Sequence, residues 1–305
     1  MGKITKASML FSAAGLLAGA SLFSAAPASA APPIAYPFVS NNGNQDLYLV
    51  NPDGSGKVLL YSPGKVAIFF VDMNPAANQL AVVDKSLSSG FKIISFNSAG
   101  VRQSVTPVSD PCTISGIDFH PTDSSLLVAE YCPSQDMLQV RRWTSAGFDS
   151  APVVTFGSGQ NQAIGHVRWL GDGSGFLINY LYSDGTGLHR RIDRYMIGNL
   201  GSPVTVTSIP SSANADFDTA RCTQTSSGPC WAFAYDEGNG RIHKVHFDSM
   251  SAYEDSVQAG STPHFSPDNS QLLYRLQSKP NFLLKVDNFS LVAKGNVGPG
   301  IDWRQ

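Results

Sequence analysis

A short hairpin pattern recurs along this chain at intervals of roughly 46 residues, and it constrains the fold more than any other feature of the sequence. In each copy an apolar or proline residue, a polar residue and an apolar residue lead into a turn, and an apolar strand restarts eight residues after the polar one. The four clear copies occupy residues 71–75, 117–121, 167–171 and 263–267. Internal repeats of this length are typical of propellers and similar arrays, in which each repeat folds as one small sheet.

Two further strands follow each hairpin, separated by polar turns. In the second repeat the strand pattern 91–96 leads into the turn 97–100, and the next strand begins at Val101. Turns rich in Gly, Ser, Asn and Asp join antiparallel neighbours. Each repeat therefore predicts a four-stranded antiparallel meander, and the chain as a whole predicts an all-β protein.

The two ends of the sequence complement each other. The N-terminal part has strand patterns at 37–40, 46–50 and 57–61 without a hairpin triplet ahead of them, whereas residues 300–304 show a lone first-strand pattern. We therefore expect the C-terminal strand to pair into the N-terminal blade and to close a six-bladed β-propeller. Closure of this kind removes the open sheet edges that invite aggregation.

The polar residue of each triplet, called the marker residue below, defines the candidate site. The six predicted markers are Asp72, Asp118, Arg168, Thr219, His264 and Asp302. Because propeller blades surround a central channel and their first strands line it, we expect these side chains to converge near the axis. The candidate residues for contact with a ligand or partner are Asp72, Asp118, Arg168, His264 and Asp302.

Two other interpretations of the marker residues remain open at the level of sequence. Buried charges are normally paired, so each carboxylate is also a candidate for hydrogen bonds to backbone groups, or for pairing with Arg168 or His264 between blades. Carboxylates around a channel are also a candidate Ca²⁺ site. Apart from such a Ca²⁺ ion, the sequence predicts no cofactor, no metal and no catalytic residues.

The N-terminal segment 1–30 has the features of a secretory signal peptide. A short basic start is followed by the apolar run 9–23, and Ala-Ser-Ala at 28–30 is a small-residue cleavage site. The apolar run is shorter than the ~20 residues that a membrane span needs. We therefore expect an exported protein, periplasmic or secreted and without a membrane span, in which residues 31–305 form a single propeller domain.

The cysteine spacing predicts two disulfides. Export permits disulfide bonds. Cys112 and Cys132 flank the hairpin around Pro121 almost symmetrically, and Cys222 and Cys230 flank the fifth hairpin in the same way. Because antiparallel strands bring such positions opposite each other, we expect the pairs Cys112–Cys132 and Cys222–Cys230. A metal site made of the four cysteines is not expected, since the spacing lacks close pairs of ligands.

Charge and motif content exclude several functional classes. The chain has 21 basic and 23 acidic side chains, a formal net charge of −2, and so lacks the basic excess of nucleic-acid-binding proteins. It has no Gly-x-Ser-x-Gly elbow and no Walker or dinucleotide motif. The sequence therefore predicts no nucleic-acid partner and favours binding over catalysis.

Two segments resemble the signatures of TolB-type propellers. Residues 46–56 read Asp-Leu-Tyr-Leu-Val-Asn-Pro-Asp-Gly-Ser-Gly, which is similar to the family's apolar strand followed by Asn-x-Asp-Gly-Ser. Residues 262–269 read Thr-Pro-His-Phe-Ser-Pro-Asp-Asn, which resembles its second signature, Pro-x-aromatic-Ser-Pro-Asp-Gly. As a repeat, the resemblance covers the whole mature chain and implies a TolB-like six-bladed propeller.

The resemblance also carries functional implications. TolB proteins are periplasmic, and their propeller binds a peptidoglycan-associated lipoprotein. They carry a separate domain ahead of the propeller, whereas the first predicted strand here begins at residue 37, shortly after the predicted cleavage site. The repeat motif itself is specific for the fold and not for an activity.

Two functional hypotheses follow from the sequence. The first is an exported, monomeric, non-catalytic propeller that binds a protein partner, a peptide or an envelope component through its channel mouth or a face. The alternative is a metal-assisted propeller enzyme of the lactonase or lyase type, which would use the carboxylates at the central channel.

Overall fold

The computed structural model describes most of the chain after residue 33. The described ranges are 34–74, 79–86, 90–97, 100–108, 112–133, 136–156, 163–183, 185–209, 217–219, 231–236, 240–247, 252–266, 271–278, 281–286, 290–295, 297 and 301–303. The predicted signal peptide, 1–30, lies outside these ranges. Where the chain is described, the structure contains no helix with the length and apolar character needed to cross a membrane.

The described residues form 25 strands, and every pairing between them is antiparallel. The first twelve are β1 (Ile34–Val39), β2 (Gln45–Val50), β3 (Val58–Gly64), β4 (Ala67–Asn74), β5 (Gln79–Ser86), β6 (Gly90–Asn97), β7 (Arg102–Pro107), β8 (Thr113–Phe119), β9 (Leu126–Cys132), β10 (Met137–Thr144), β11 (Gly147–Phe148) and β12 (Val154–Phe156). The others are β13 (Ala163–Trp169), β14 (Gly175–Ser183), β15 (Leu188–Met196), β16 (Asn199–Ile209), β17 (Phe217–Thr219), β18 (Trp231–Asp236), β19 (Arg241–Phe247), β20 (Ala252–Ala259), β21 (Ser261–Phe265), β22 (Leu272–Ser278), β23 (Asn281–Val286), β24 (Ser290–Gly295) and β25 (Asp302–Trp303).

The strands of the described residues are arranged in six sheets, each built mainly from consecutive strands. Sheet 1 has the order β25-β1-β2-β3, sheet 2 β4-β5-β6-β7, sheet 3 β8-β9-β10-β11, sheet 4 β13-β14-β15-β16, sheet 5 β17-β18-β19-β20 and sheet 6 β21-β22-β23-β24. In sheet 3 the outermost strand is split, because β12 also pairs with β10. Each repeat therefore forms the antiparallel meander that its sequence predicts.

The middle strands of the sheets are buried on both faces, as β5 illustrates. Successive side chains of a strand point to opposite faces. Ala81 and Val83 pack with residues of sheet 3, whereas Leu80 and Val82 pack with residues of sheet 1. All four are at most 6% exposed. This two-sided burial explains why such a strand reads as a continuous apolar run instead of an alternating one.

The last strand of the chain completes the first sheet. β25 pairs with β1, with Trp303 opposite Ile34 and Asp302 opposite Ala35. Trp303 is 2% exposed and lies in an apolar cluster that joins sheet 1 to Leu273 and other residues of sheet 6. The innermost strands β25, β4, β8, β13, β17 and β21 each contact the next, and β21 contacts β25. The contacts between innermost strands therefore form a cycle.

Substitution of Trp303 tests the contribution of this last strand. We expect Trp303→Ala to lower the free energy of unfolding by about 3–5 kcal/mol, because it empties a buried site between two sheets. Urea unfolding followed by circular dichroism measures the change. Val204→Ala, at a side chain that is 52% exposed, is the control and should change stability by no more than about 0.5 kcal/mol. Equal effects of the two substitutions would contradict the role of Trp303.

Candidate functional site

The marker residues occupy equivalent positions near the ends of the innermost strands. Five of the six predicted markers are found there, and the sixth position is held by Asp218. We call this set the marker ring: Asp72, Asp118, Arg168, Asp218, His264 and Asp302. Their exposed fractions lie between 3% and 8%, so every member is buried. All five residues of the predicted ligand or partner site therefore lie at this buried position of the innermost strands.

Four aspartates of the marker ring accept a backbone hydrogen bond from the neighbouring sheet. In every case the donor is the residue that directly follows the marker of the next sheet, and for Asp302 in sheet 1 that marker is Asp72 in sheet 2. The pairs are Met73 N to Asp302 Oδ2 (2.8 Å), Phe119 N to Asp72 Oδ2 (2.5 Å), Trp169 N to Asp118 Oδ2 (2.5 Å) and Phe265 N to Asp218 Oδ2 (2.8 Å). Hydrogen bonds to a charged partner stabilise by about 1.5–3 kcal/mol each, so the four bonds hold neighbouring sheets together.

Arg168 and His264 make the two remaining links through their side chains. Arg168 Nε lies 3.4 Å from Asp218 Oδ1, and its Nη1 donates a hydrogen bond of 2.6 Å to the carbonyl oxygen of Ile117. His264 Nδ1 lies 3.5 Å from Asp302 Oδ1. With these links, contacts run from each sheet to the next and return from sheet 6 to sheet 1. These contacts match the interpretation in which the carboxylates accept hydrogen bonds from backbone groups or pair with Arg168 and His264.

The predicted fifth marker, Thr219, is wrong by one residue. Asp218 pairs with Ala234 in the way that Asp72 pairs with Ala81, and it bonds to the next sheet as the other aspartates do. A shift of one residue along a strand moves a side chain to the opposite face. The error arises because the fifth hairpin contains an insertion, so the eight-residue spacing that located the other markers does not apply there.

A second feature lies toward the start of the innermost strands, where the register between paired strands breaks. The breaks fall between Ile68 and Phe70, Ile114 and Gly116, Ile164 and Val167, and Ser261 and His264. In sheets 2 and 3 the break ends two residues before the marker, in sheet 4 one residue before it, and in sheet 6 at the marker itself. Bulges of this kind re-aim side chains and are frequent beside functional sites.

Aromatic side chains gather at these bulges. The ring centroids of Phe70 in sheet 2 and His166 in sheet 4 are 5.7 Å apart in an edge-to-face contact, and those of Phe69 and Phe70 are 6.4 Å apart. Phe69, Phe70 and His166 are half-buried, and we call them the mouth cluster. The contact passes over sheet 3, where a Cβ atom on Gly116 would lie only 3.0 Å from the Cα atom of His166. Glycine therefore permits the close approach of strands that brings these rings together.

Sequence reasoning missed the mouth cluster. Its only signal is the pair of adjacent phenylalanines, Phe69 and Phe70, which interrupts the alternation expected along a strand. The partner His166 is distant in sequence and shows no distinguishing pattern, so only the structure brings it to Phe70.

The predicted disulfide Cys112–Cys132 is confirmed. The predicted pair Cys222–Cys230 lies outside the described residues. Beside the confirmed disulfide, the buried Glu130 carboxylate lies within 4.8 Å of both sulfur atoms. This trio has the residue types of a metal site, but its sulfur atoms are bonded to each other and are not thiolates, which are the form that binds metals.

The Glu130 carboxylate is also held by polar neighbours. Gln139 Nε2 donates a hydrogen bond of 2.6 Å to Glu130 Oε1, and Arg141 Nη1 lies 3.7 Å from the same oxygen. Burial raises the pKa of Glu130, and the Gln139 hydrogen bond and the Arg141 charge reverse only part of that shift.

Comparison with known proteins gives no family from sequence but several matches in structure. No family model matches the chain, and no curated protein matches it. TolB from Acinetobacter baumannii is 19% identical, with a TM-score of 0.64, and the match covers 90% of this chain and 66% of that one. A putative TolB from Agrobacterium tumefaciens is 12% identical, with a TM-score of 0.54 and coverage of 87% and 90%. An oligogalacturonate lyase in complex with manganese is 13% identical, with a TM-score of 0.52 and coverage of 81% and 74%.

These likenesses, together with the repeated meander sheets, place the chain in the β-propeller class of folds. More particularly, the fold is TolB-like, as the resemblance of the two sequence signatures implied. The neighbours include an enzyme as well as TolB structures, so the fold does not by itself assign an activity.

Removal of one carboxylate from the marker ring tests its role in joining sheets. We expect Asp118→Ala to lower the free energy of unfolding by about 2–3 kcal/mol, since the buried N–H of Trp169 loses this charged acceptor. Asp118→Asn keeps a side-chain oxygen and should cost less. Urea unfolding measures both, with the exposed Asp149→Ala as the control. An Asp118→Ala protein as stable as the control would refute the role.

The pKa of Glu130 predicts a pH-dependent difference in stability. Folding raises the pKa of this carboxyl group, so its ionised form destabilises the folded protein. The stabilisation that the protonated form gives is therefore complete below about pH 4 and is lost as pH rises through the folded-state pKa. We therefore expect Glu130→Gln to gain stability relative to the natural protein over this interval and the difference to level off above it. Urea midpoints from pH 4 to 8 measure the difference, with Asp149→Asn as the control. A difference independent of pH would contradict the assignment.

Proposed function

We propose that the protein is an exported, non-catalytic β-propeller that binds a protein partner, a peptide or an envelope component at one mouth of its channel. The observation that carries the proposal is the mouth cluster, in which Phe69, Phe70 and His166 stay half-buried at bulged strand ends. Aromatic side chains bury large areas on binding and are enriched among the residues that dominate interface affinity.

The proposal includes a closed ring of six blades. Three observations on the described residues support it. They are the six sheets, the cycle of contacts between innermost strands, and the pairing of β25 with β1. Export is supported by the signal-peptide pattern of residues 1–30 and by the Cys112–Cys132 disulfide, which needs an oxidising compartment to persist.

The marker ring supports binding over metal-assisted catalysis. A catalytic ion would take carboxylate oxygens as ligands. In Asp72, Asp118 and Asp302, one oxygen of each carboxylate accepts a backbone hydrogen bond from the next sheet. These hydrogen bonds give the three aspartates a role in the scaffold, and we assign partner binding to the half-buried aromatic rings of the mouth cluster.

Site-specific crosslinking tests the proposed binding surface. A photoreactive phenylalanine analogue at position 69 should give a discrete adduct in an envelope extract, whereas the same analogue at position 204 on the exposed strand β16 should not. Unlabelled natural protein should suppress the adduct. Phe70→Ser should suppress it about thirtyfold less effectively, because loss of a dominant interface aromatic costs about 2 kcal/mol.

Two results would decide against this function. Equal competition by Phe70→Ser and the natural protein, with both shown to be folded, would remove the mouth cluster as the binding surface. A thermal shift with Mn²⁺ or Ca²⁺ that disappears in Asp118→Asn would instead support the metal-assisted enzyme, since a bound ion stabilises the folded state by mass action.

A further inference from the structure

Three aromatic side chains of sheet 1 surround the ammonium group of Lys57. Its Nζ atom lies 3.8 Å from the ring centroid of Tyr48, 5.1 Å from that of Phe38 and 5.6 Å from that of Tyr36. All three distances are within the range of about 6 Å over which an aromatic face attracts a cation. We call Tyr36, Phe38 and Tyr48 the aromatic box.

The aromatic box is fixed by the seam between sheets 1 and 6. Tyr36 is 1% exposed and belongs to the apolar cluster that contains Leu273 and Val292 of sheet 6. Phe38 forms an isolated bridge with Val297, ahead of the last strand. The rings therefore belong to a packed interface between blades and do not depend on Lys57 for their positions.

The same box has an open side. Phe38 and Tyr48 are half-buried, and Lys57 is exposed, so its ammonium group enters the box from solvent. Lys57 precedes β3 on a loop, and its four-carbon stem is flexible. The occupant of the box can therefore leave without any change in the strands that carry the rings.

A carboxylate lies next to the aromatic box. Tyr48 Oη donates a hydrogen bond of 3.5 Å to Asp46 Oδ2, and Ser62 Oγ donates one of 2.6 Å to Asp46 Oδ1. Three electron-rich ring faces and one negative charge form a site whose chemistry selects a cation.

The box suits a weakly hydrated cation better than it suits lysine. Burial lowers the pKa of Lys57, and the charge of Asp46 raises it by less. The ammonium group of lysine is strongly hydrated, so contact with three rings removes water that it binds tightly. A quaternary ammonium group keeps its charge at every pH, and aromatic cages are the usual means by which proteins recognise it.

We propose that Tyr36, Phe38, Tyr48 and Asp46 form a binding site for a trimethylammonium group, and that Lys57 is a resident occupant which such a ligand displaces. The site lies on a face of the seam between sheets 1 and 6. It is independent of the mouth cluster, so neither proposal depends on the other.

Titration with choline tests the site on the full chain. Ligand-observed NMR measures the dissociation constants of choline and of its uncharged isostere 3,3-dimethylbutan-1-ol. We expect Lys57→Ala to bind choline about tenfold more tightly than the natural protein, because the competing ammonium group is gone. The isostere should show no such preference, since the ring faces attract charge. Lys65→Ala, at an exposed lysine outside the box, is the matched control and should behave as the natural protein does.

A second substitution identifies the rings as the source of affinity. Adding Tyr48→Leu to Lys57→Ala keeps an apolar side chain but removes the nearest ring, and should weaken choline binding about fivefold to thirtyfold. If Lys57→Ala does not fold by circular dichroism, Lys57→Gln serves in its place. Equal binding of choline and the isostere would show an apolar cavity only and would overturn the proposal. So would the absence of choline binding in a folded Lys57 variant.

Discussion

The fold depends on one hydrogen bond repeated between sheets, from the backbone N–H that follows one marker to the carboxylate of the marker before it. Asp72 and Asp118 show its form, with distances of 2.5 Å to the next sheet. A single sheet of this size cannot bury its own faces, so stability comes from packing against neighbours. The carboxylate adds direction to that packing, because an apolar interface tolerates sliding whereas a hydrogen bond fixes which residues stand opposite each other.

Four of the innermost strands, β4, β8, β13 and β21, have two parts with different tasks. The end that carries the marker is buried and bonded to the next sheet, which makes it part of the scaffold. The start is bulged, and in β4 and β13 it presents Phe70 and His166 only half-buried. This division permits variation at the bulges while the bonds that align the sheets stay unchanged. The function proposed above therefore rests on side chains at the bulges and not on the fold itself, which accords with one fold serving many activities.

The repeat was readable from the sequence because every copy must solve the same packing problem. The meander sheets, the pairing of the C-terminal strand into the N-terminal sheet and the bond between Cys112 and Cys132 were all predicted from it. Prediction failed where local spacing changed, and the fifth marker proved to be Asp218. The contact between Phe70 and His166 was beyond sequence reasoning, since it depends on how sheets are placed around an axis. The aromatic box was missed because Lys57 reaches rings on two other strands of its own sheet.

The position of β25 has a consequence for the order in which the sheets assemble. Its two residues follow every other described strand in the chain, yet they form the innermost edge of the sheet that is made first. Until they arrive, β1 presents an unpaired edge, and an open edge is a template for wrong pairing. Without β25, the cycle of contacts between innermost strands is broken between β21 and β4. Because Asp302 and Ala35 are far apart in the sequence, their pairing closes a long loop, and loop closure costs entropy before the contacts that it permits can form.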